Sequence, residues 1–198
     1  MKIDCTIRGV TPLLMSRFTE EAEVAVSSGT TTVVRGNNKG TPREQAKRKL
    51  YVDSKTGELY IPGPNVLACL VAAGRFHKAG REKLSTAKSS LIPAYVLIEE
   101  QVCPLTLDGA PIKDPHWEVD SRRVVVPSTG GGIMAHRPRL DEWELSFRVD
   151  LDAEFSSKLF REVVDSAGRK CGLGDFRPSR KGPYGRFSVV NWKESNGK

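Results

Sequence analysis

Ser157-Lys-Leu-Phe-Arg-Glu-Val-Val-Asp-Ser-Ala-Gly-Arg-Lys170, then Cys-Gly-Leu-Gly-Asp-Phe-Arg-Pro-Ser-Arg-Lys-Gly-Pro-Tyr-Gly-Arg-Phe187, then Ser-Val-Val-Asn191 sets the architecture of this chain. The first part carries Leu159, Phe160, Val163, Val164 and Ala167 at helical spacing behind a serine cap, which predicts a helix over 157–170. The last part predicts a strand over 184–191. The loop between them holds Gly172, Gly174, Gly182 and Gly185, the cations Arg177, Arg180, Lys181 and Arg186, and the aromatics Phe176, Tyr184 and Phe187. Glycine permits close backbone approach, cations neutralise phosphate and aromatic rings stack bases. Together they predict a single-stranded nucleic acid site; the plainer reading is a basic surface turn. Phe187 reads either as a stacking ring or as the first core residue of the last strand.

Outward from this stretch the pattern is regular. Trp143, Leu145, Phe147 and Val149 alternate in a predicted strand over 143–151, and Ile3, Cys5 and Ile7 alternate over 2–9, which reads as a strand and not as a signal peptide. Pro62-Gly-Pro-Asn65 opens a helix over 65–78, with Val66, Leu67, Leu70, Val71 and Ala73 on one face and Gly80 at its end. Residues 94–99 read as a further strand. The order β-α-β-β-α-β predicts an α+β, ferredoxin-like (RRM-like) fold in a single domain over 1–198. Two insertions, about 10–63 and 101–141, are too long for plain loops. They are expected to hold a short strand at 30–34, a flexible tip at 36–40, a capped helix from Thr41 to about Leu50, hairpins near 54–57 and 105–109, strands at 117–126 and 133–138, and a glycine-rich loop at 127–132. An arm or flap is one arrangement open to them.

The chain has 198 residues, is 38% hydrophobic and carries a formal net charge of +7. No apolar run reaches the ~18 residues a membrane-spanning helix needs, so no membrane partner is expected. Cys5, Cys69, Cys103 and Cys171 form no Cys-x-x-Cys pair, so neither a metal site nor a cofactor is expected, and the apolar settings of the first three predict reduced thiols of a cytoplasmic protein. The charge is segregated: residues 35–49 carry six cations against Glu44, and residues 75–88 carry five against Glu82. Such clustering predicts a basic face. Lys78, Arg81, Lys83 and Lys88 are candidate phosphate contacts, although His77 and Lys78 also suit a helix C-terminus. His136, Arg137 and Arg139 follow a triple glycine and read as a loop able to close over a strand, or as the charged edge of a sheet.

The β-α-β-β-α-β order and the glycine-rich loop 172–187 resemble the RAMP superfamily, the RNA-binding subunits of multisubunit CRISPR effector complexes. Thr6-Ile-Arg-Gly-Val-Thr-Pro-Leu-Leu-Met15 is similar to the first strand of its backbone (filament-forming) members. The chain is shorter than most of those, which implies a small thumb-like insertion, and it also looks like small proteins of phages and mobile elements. The resemblance implies a non-enzymatic protein that binds single-stranded RNA or DNA with low sequence specificity, self-associates along the strand and meets other effector-complex subunits. Arg177, Arg180, Lys181 and Arg186 would then meet phosphates, and Tyr184 would stack a base. Two alternatives stand beside it. One is a metal-independent endoribonuclease using His77, His116 or His136 as general acid or base; separately, Asp4, Asp120 and Asp175 are scattered carboxylates able to hold magnesium, and the resemblance sets Asp120 in the insertion where some backbone relatives carry a cleaving aspartate. The other is an assembly protein whose basic face meets an acidic protein.

Overall fold

A computed structural model of the chain describes residues 1–18, 27–28, 40–125 and 130–195. The expected strand at 30–34, the tip at 36–39 and residues 127–129 of the glycine-rich loop lie outside them. Strand β1 (Lys2–Gly9) leads into the short β2 (Leu13–Leu14). Helix α1 (Pro42–Lys47) follows, then β3 (Tyr60–Pro62), helix α2 (Gly63–Ala73), and the hairpin β4 (Lys78–Ala79) and β5 (Glu82–Lys83). Next come the one-turn helix α3 (Ile92–Tyr95), β6 (Val96–Ile98), β7 (Val102–Leu107), β8 (Ala110–Pro111), β9 (Glu118–Val125), β10 (Gly132–Leu140) and β11 (Glu144–Leu151). Helix α4 (Ser157–Ser166) and β12 (Phe187–Ser195) complete the chain.

The architecture is α+β, and every strand pair is antiparallel. In the main sheet β1 lies between β12 and β11, and the far edge of β11 pairs with β6 and β7. The register sets Ile3 opposite Val149, Cys5 opposite Phe147 and Ile7 opposite Leu145. Period-two alternation therefore puts all six side chains on one face, where they are buried in one core with Leu70 and Ala73 of α2 and Phe160, Val163 and Val164 of α4. The other face of β1 and β11 is polar. Arg8 Nε donates to Glu144 Oε1 at 2.6 Å, Thr6 Oγ1 lies 2.9 Å from Ser146 Oγ, and Arg148 Nε donates to Asp4 Oδ1 at 2.6 Å.

A second sheet runs β2–β10–β9, with α1 packed on it. Its helix starts as the sequence predicts, on a capping box: Glu44 N donates to Thr41 Oγ1 at 3.3 Å, and Thr41 N donates back to Glu44 Oε2 at 2.6 Å.

Several element ends differ from the expected ones. Helix α2 stops at Ala73, capped by Gly74, where a Cβ would strike Ser85 Oγ and crowd Ile92; one 3₁₀ turn, Gly74–Phe76, carries the chain on. Residues 78–83, expected as the end of that helix and its stop, instead form the β4–β5 hairpin around Gly80. Pro93 sets the first turn of α3, so β6 starts at Val96 and not at 94. Helix α4 passes after Ser166 into a π-helical turn, Ala167–Cys171, where Gly168 packs on the backbone of Phe187. Strand β12 begins at Phe187 and runs on to pair Ser195 with Lys2. Phe187 is a core residue. No helix among the described residues is long and apolar enough to cross a membrane.

Candidate nucleic-acid interface

The loop between the π-helical turn and β12 folds as a knot against its own chain. Asp175 N donates to Leu14 O at 2.7 Å, Gly185 N to Pro12 O at 2.8 Å and Leu173 N to Gly185 O at 2.9 Å. Lys181 N donates to Pro178 O, Gly182 N to Arg177 O, and Arg186 N to Thr11 Oγ1 at 3.0 Å. The sequence suggests glycines that admit a ligand. In the fold, Gly182 and Gly185 admit protein backbone: a Cβ on Gly182 would strike the Phe176 carbonyl, and one on Gly185 the Leu173 carbonyl. Most of the loop's amides therefore already have partners within the protein, and a ligand meets side chains here.

Those side chains border a groove of about 510 Å³. One wall is the loop from Gly172 to Arg177, with Arg180. The other is the N-terminal half of α2, presenting Asn65, Ala68 and Cys69; Met15, Ser16, Tyr51 and Ile61 complete the lining. Cys69 Sγ ties the walls together by donating to Gly172 O at 3.2 Å. Arg177 is braced, with Nη1 donating to Gly174 O at 2.6 Å and Nε to Ser179 Oγ at 3.0 Å. Arg180 is exposed and has no carboxylate partner among the described residues.

The other expected site residues divide into three groups. Lys181 and Arg186 are exposed on the same loop but do not line the groove. Tyr184 is 9% exposed and does not line it: Arg122 lies over its ring at 4.9 Å and bonds its hydroxyl, and the Phe176 ring lies 6.1 Å away between centroids. Its ring is thus a core contact, not a free stacking face. His136, Arg137 and Arg139 lie in the body of β10, paired with Ser121, Asp120 and Glu118 of β9, and are not the end of a loop. At Arg139 the strand also pairs with β2, so it is no edge there. Arg137 is ion-paired with Asp175 and so fastens the second sheet to the glycine-rich loop; Arg139 Nε donates to Asp141 at 2.6 Å. Lys78, Arg81, Lys83 and Lys88 are exposed, the first three on the β4–β5 hairpin beyond the other end of α2.

No histidine stands in an evident catalytic constellation. His136 Nδ1 lies 2.7 Å from Ser121 Oγ, and His77 Nε2 lies 2.8 Å from Ser166 Oγ. Both have pKa values below the ordinary range, chiefly through burial, with Lys49 adding to the effect at His136. Asp120 is 6% exposed, and both its oxygens accept from Arg122 Nε, at 2.8 and 3.0 Å. No cluster of three metal-ligating side chains occurs among the described residues. All four cysteines are free and buried, and burial pushes the Cys5 and Cys103 thiols up to about 12.

Sequence reasoning missed Tyr51, Asn65, Met15 and Ser16. Asn65 was visible only as a helix start, and nothing local relates the other three to the loop more than a hundred residues later.

No family model matches this sequence, and no curated protein matches it. Solved structures do. The chain is similar to one in the cryo-EM structure of the Type III-B Cmr-beta bound to cognate target RNA, with a TM-score of 0.55 and 11% identity, covering 97% of this chain. It spans only 59% of that larger chain. It is also similar to a chain of a Type IV-B CRISPR complex, with a TM-score of 0.52 and 13% identity, covering 100% of this chain and 93% of the other. The likeness is one of fold, and it lies with subunits of CRISPR complexes, as the resemblance read from the sequence implies.

Proposed function

We propose that this protein binds single-stranded RNA in the groove between the glycine-rich loop and α2, as a RAMP-like subunit of low sequence specificity. The observation that carries the reading is the convergence of Arg177, Arg180, Asn65 and the loop 172–177 on one open groove. The order β12–β1–β11–β6, with α2 and α4 sharing the buried core, supports a ferredoxin-like core within a single domain, into which 10–63 and 101–141 are inserted. The open face of β1 and β11 carries ion pairs and hydroxyls and no aromatic ring. That favours the groove over the sheet face as the seat of a strand, since single-strand binders stack bases on exposed rings. The Type III-B neighbour is bound to target RNA, which favours RNA over DNA; the same likeness supports other effector-complex subunits as partners, and self-association along the strand is part of the proposal.

The test is a fluorescence-anisotropy titration of labelled oligouridine and oligothymidine across a salt series. Each phosphate contact on a single strand contributes about 0.7 to the slope of log affinity against log salt. Arg180→Ala is expected to flatten the slope by about 0.7, so that raising salt from 50 to 200 mM costs the variant about 2.6-fold less affinity than the parent. Its melting temperature should not move. A wild-type slope in the variant would remove Arg180 from the site, and a parent that binds neither strand at low salt would end the reading.

A further inference from the structure

We propose that Phe76 is a base-stacking platform that extends the groove past the C-terminal end of α2, with Arg75 and Lys170 beside it to meet the flanking phosphates. The proposal rests on the nucleic-acid reading above and enlarges its site.

Phe76 is 52% exposed although it belongs to the turn that closes a buried helix. Its backbone is anchored on both sides. Gly74 is wedged against Ser85 and Ile92, and the ring of His77 is held by Ser166 at 2.8 Å. The side chain thus projects from a fixed base and not from a loose end. Lys170 Nζ lies over the ring, 4.4 Å from its centroid, and about half of the residue stays exposed beside it.

Two elements join the ring to the groove: α2, whose Cys69 lines the groove, runs into the turn that carries Phe76, and the π-helical turn that carries Lys170 runs into Gly172 of the loop wall. Arg177 lines the groove; Arg75 and Lys170 flank Phe76. Farther on, Lys78 and Lys83 face each other across the β4–β5 hairpin, and neither has a carboxylate partner among the described residues. Like charges directly opposite are unfavourable in a sheet pair, and a bound phosphate would relieve them. An exposed ring among unpaired cations suits a base with its phosphates better than an apolar protein surface does.

The experiment compares the full chain with Phe76→Ala, Phe76→Trp and Arg180→Ala in the same oligouridine titration. Loss of one stacked base is expected to weaken Phe76→Ala by roughly 5- to 150-fold. The salt slope should stay unchanged, because stacking releases no counterions. Phe76→Trp is expected to keep the affinity, and its added indole emission should be quenched as the oligonucleotide binds; that readout holds even if the alanine variant folds poorly. If the parent binds and Phe76→Ala binds equally well, the platform is overturned while the groove stands. Self-association of the free protein that Phe76→Ala abolishes, with binding intact, would assign the ring to a protein contact and overturn it too. A parent that binds no oligonucleotide removes the groove and the platform together.

Discussion

Replacing Gly185 by alanine tests whether the glycine-rich loop is a structural knot. Gly185 has a φ of +69°, its N–H donates to Pro12 O at 2.8 Å and its carbonyl accepts from Leu173 N at 2.9 Å. A Cβ there would enter the shell of the Leu173 carbonyl, lying 2.8 Å from its carbon and closer still to its oxygen. The left-handed backbone alone costs an alanine about 1–2 kcal/mol. Relieving the collision requires Gly185 to move away from Leu173, which breaks the bond from Leu173 N and displaces the Gly185 amide from Pro12 O, at about 1 kcal/mol each. Gly57 supplies the control: its φ is +72°, its N–H donates to Asp53 O at 2.9 Å, and a Cβ there would meet no atom within 4 Å. Gly57→Ala should therefore cost only the backbone term. The gap between the variants is about 2 kcal/mol, or about 4–8 °C in melting temperature for a chain of this size. Thermal unfolding followed by circular dichroism in one buffer reads it directly. Two variants melting within about 2 °C of each other would refute the argument that this glycine exists for a backbone-to-backbone approach.

Two further outcomes follow from named contacts. His77 is held below its ordinary pKa, first by burial and then by Lys170, against the pull of Glu162, so the folded state binds its proton less readily than the unfolded one. The stability it contributes is present above the unfolded value of about 6.5 and is lost as pH falls through that value and the lower folded one; urea midpoints between pH 8 and 5 should vary less in His77→Gln than in the parent, and equal profiles would exclude the residue as the source. Thr41→Ala removes the hydroxyl half of the α1 capping box, which should cost about 1 kcal/mol, and hydrogen exchange should quicken over residues 42–47 while the amides of β1 keep their protection.

What could be read beforehand divides by the range of the interaction. Strand β1 and the alternation at Leu145, Phe147 and Val149 were legible because a half-buried strand writes its own period. The capping box of α1 was legible because both partners lie within four residues. The end of α2 was not: the local pattern continues to 78, whereas the chain leaves the helix at Gly74–Phe76 and enters the β4–β5 hairpin; the helical run to 170 was legible, and only its change to a π-helical turn after Ser166 was not. The strand expected over 133–138 was legible and pairs with β9, whereas the triple glycine also suggested a loop able to close at 136–139, which that pairing overturns. At the candidate site, Arg177 and Arg180 were found by composition, because a basic loop advertises itself. Tyr184 was misread as a stacking ring because Arg122, which covers it, lies 62 residues away.

The internal bonding of the glycine-rich loop bears on kinetics. A wall that already holds its shape in the free protein has little disorder to surrender when a strand arrives. Encounter should then proceed at a rate governed by charge attraction and collision, without a slow rearrangement step. Affinity differences among oligonucleotides would accordingly be written in how quickly they leave.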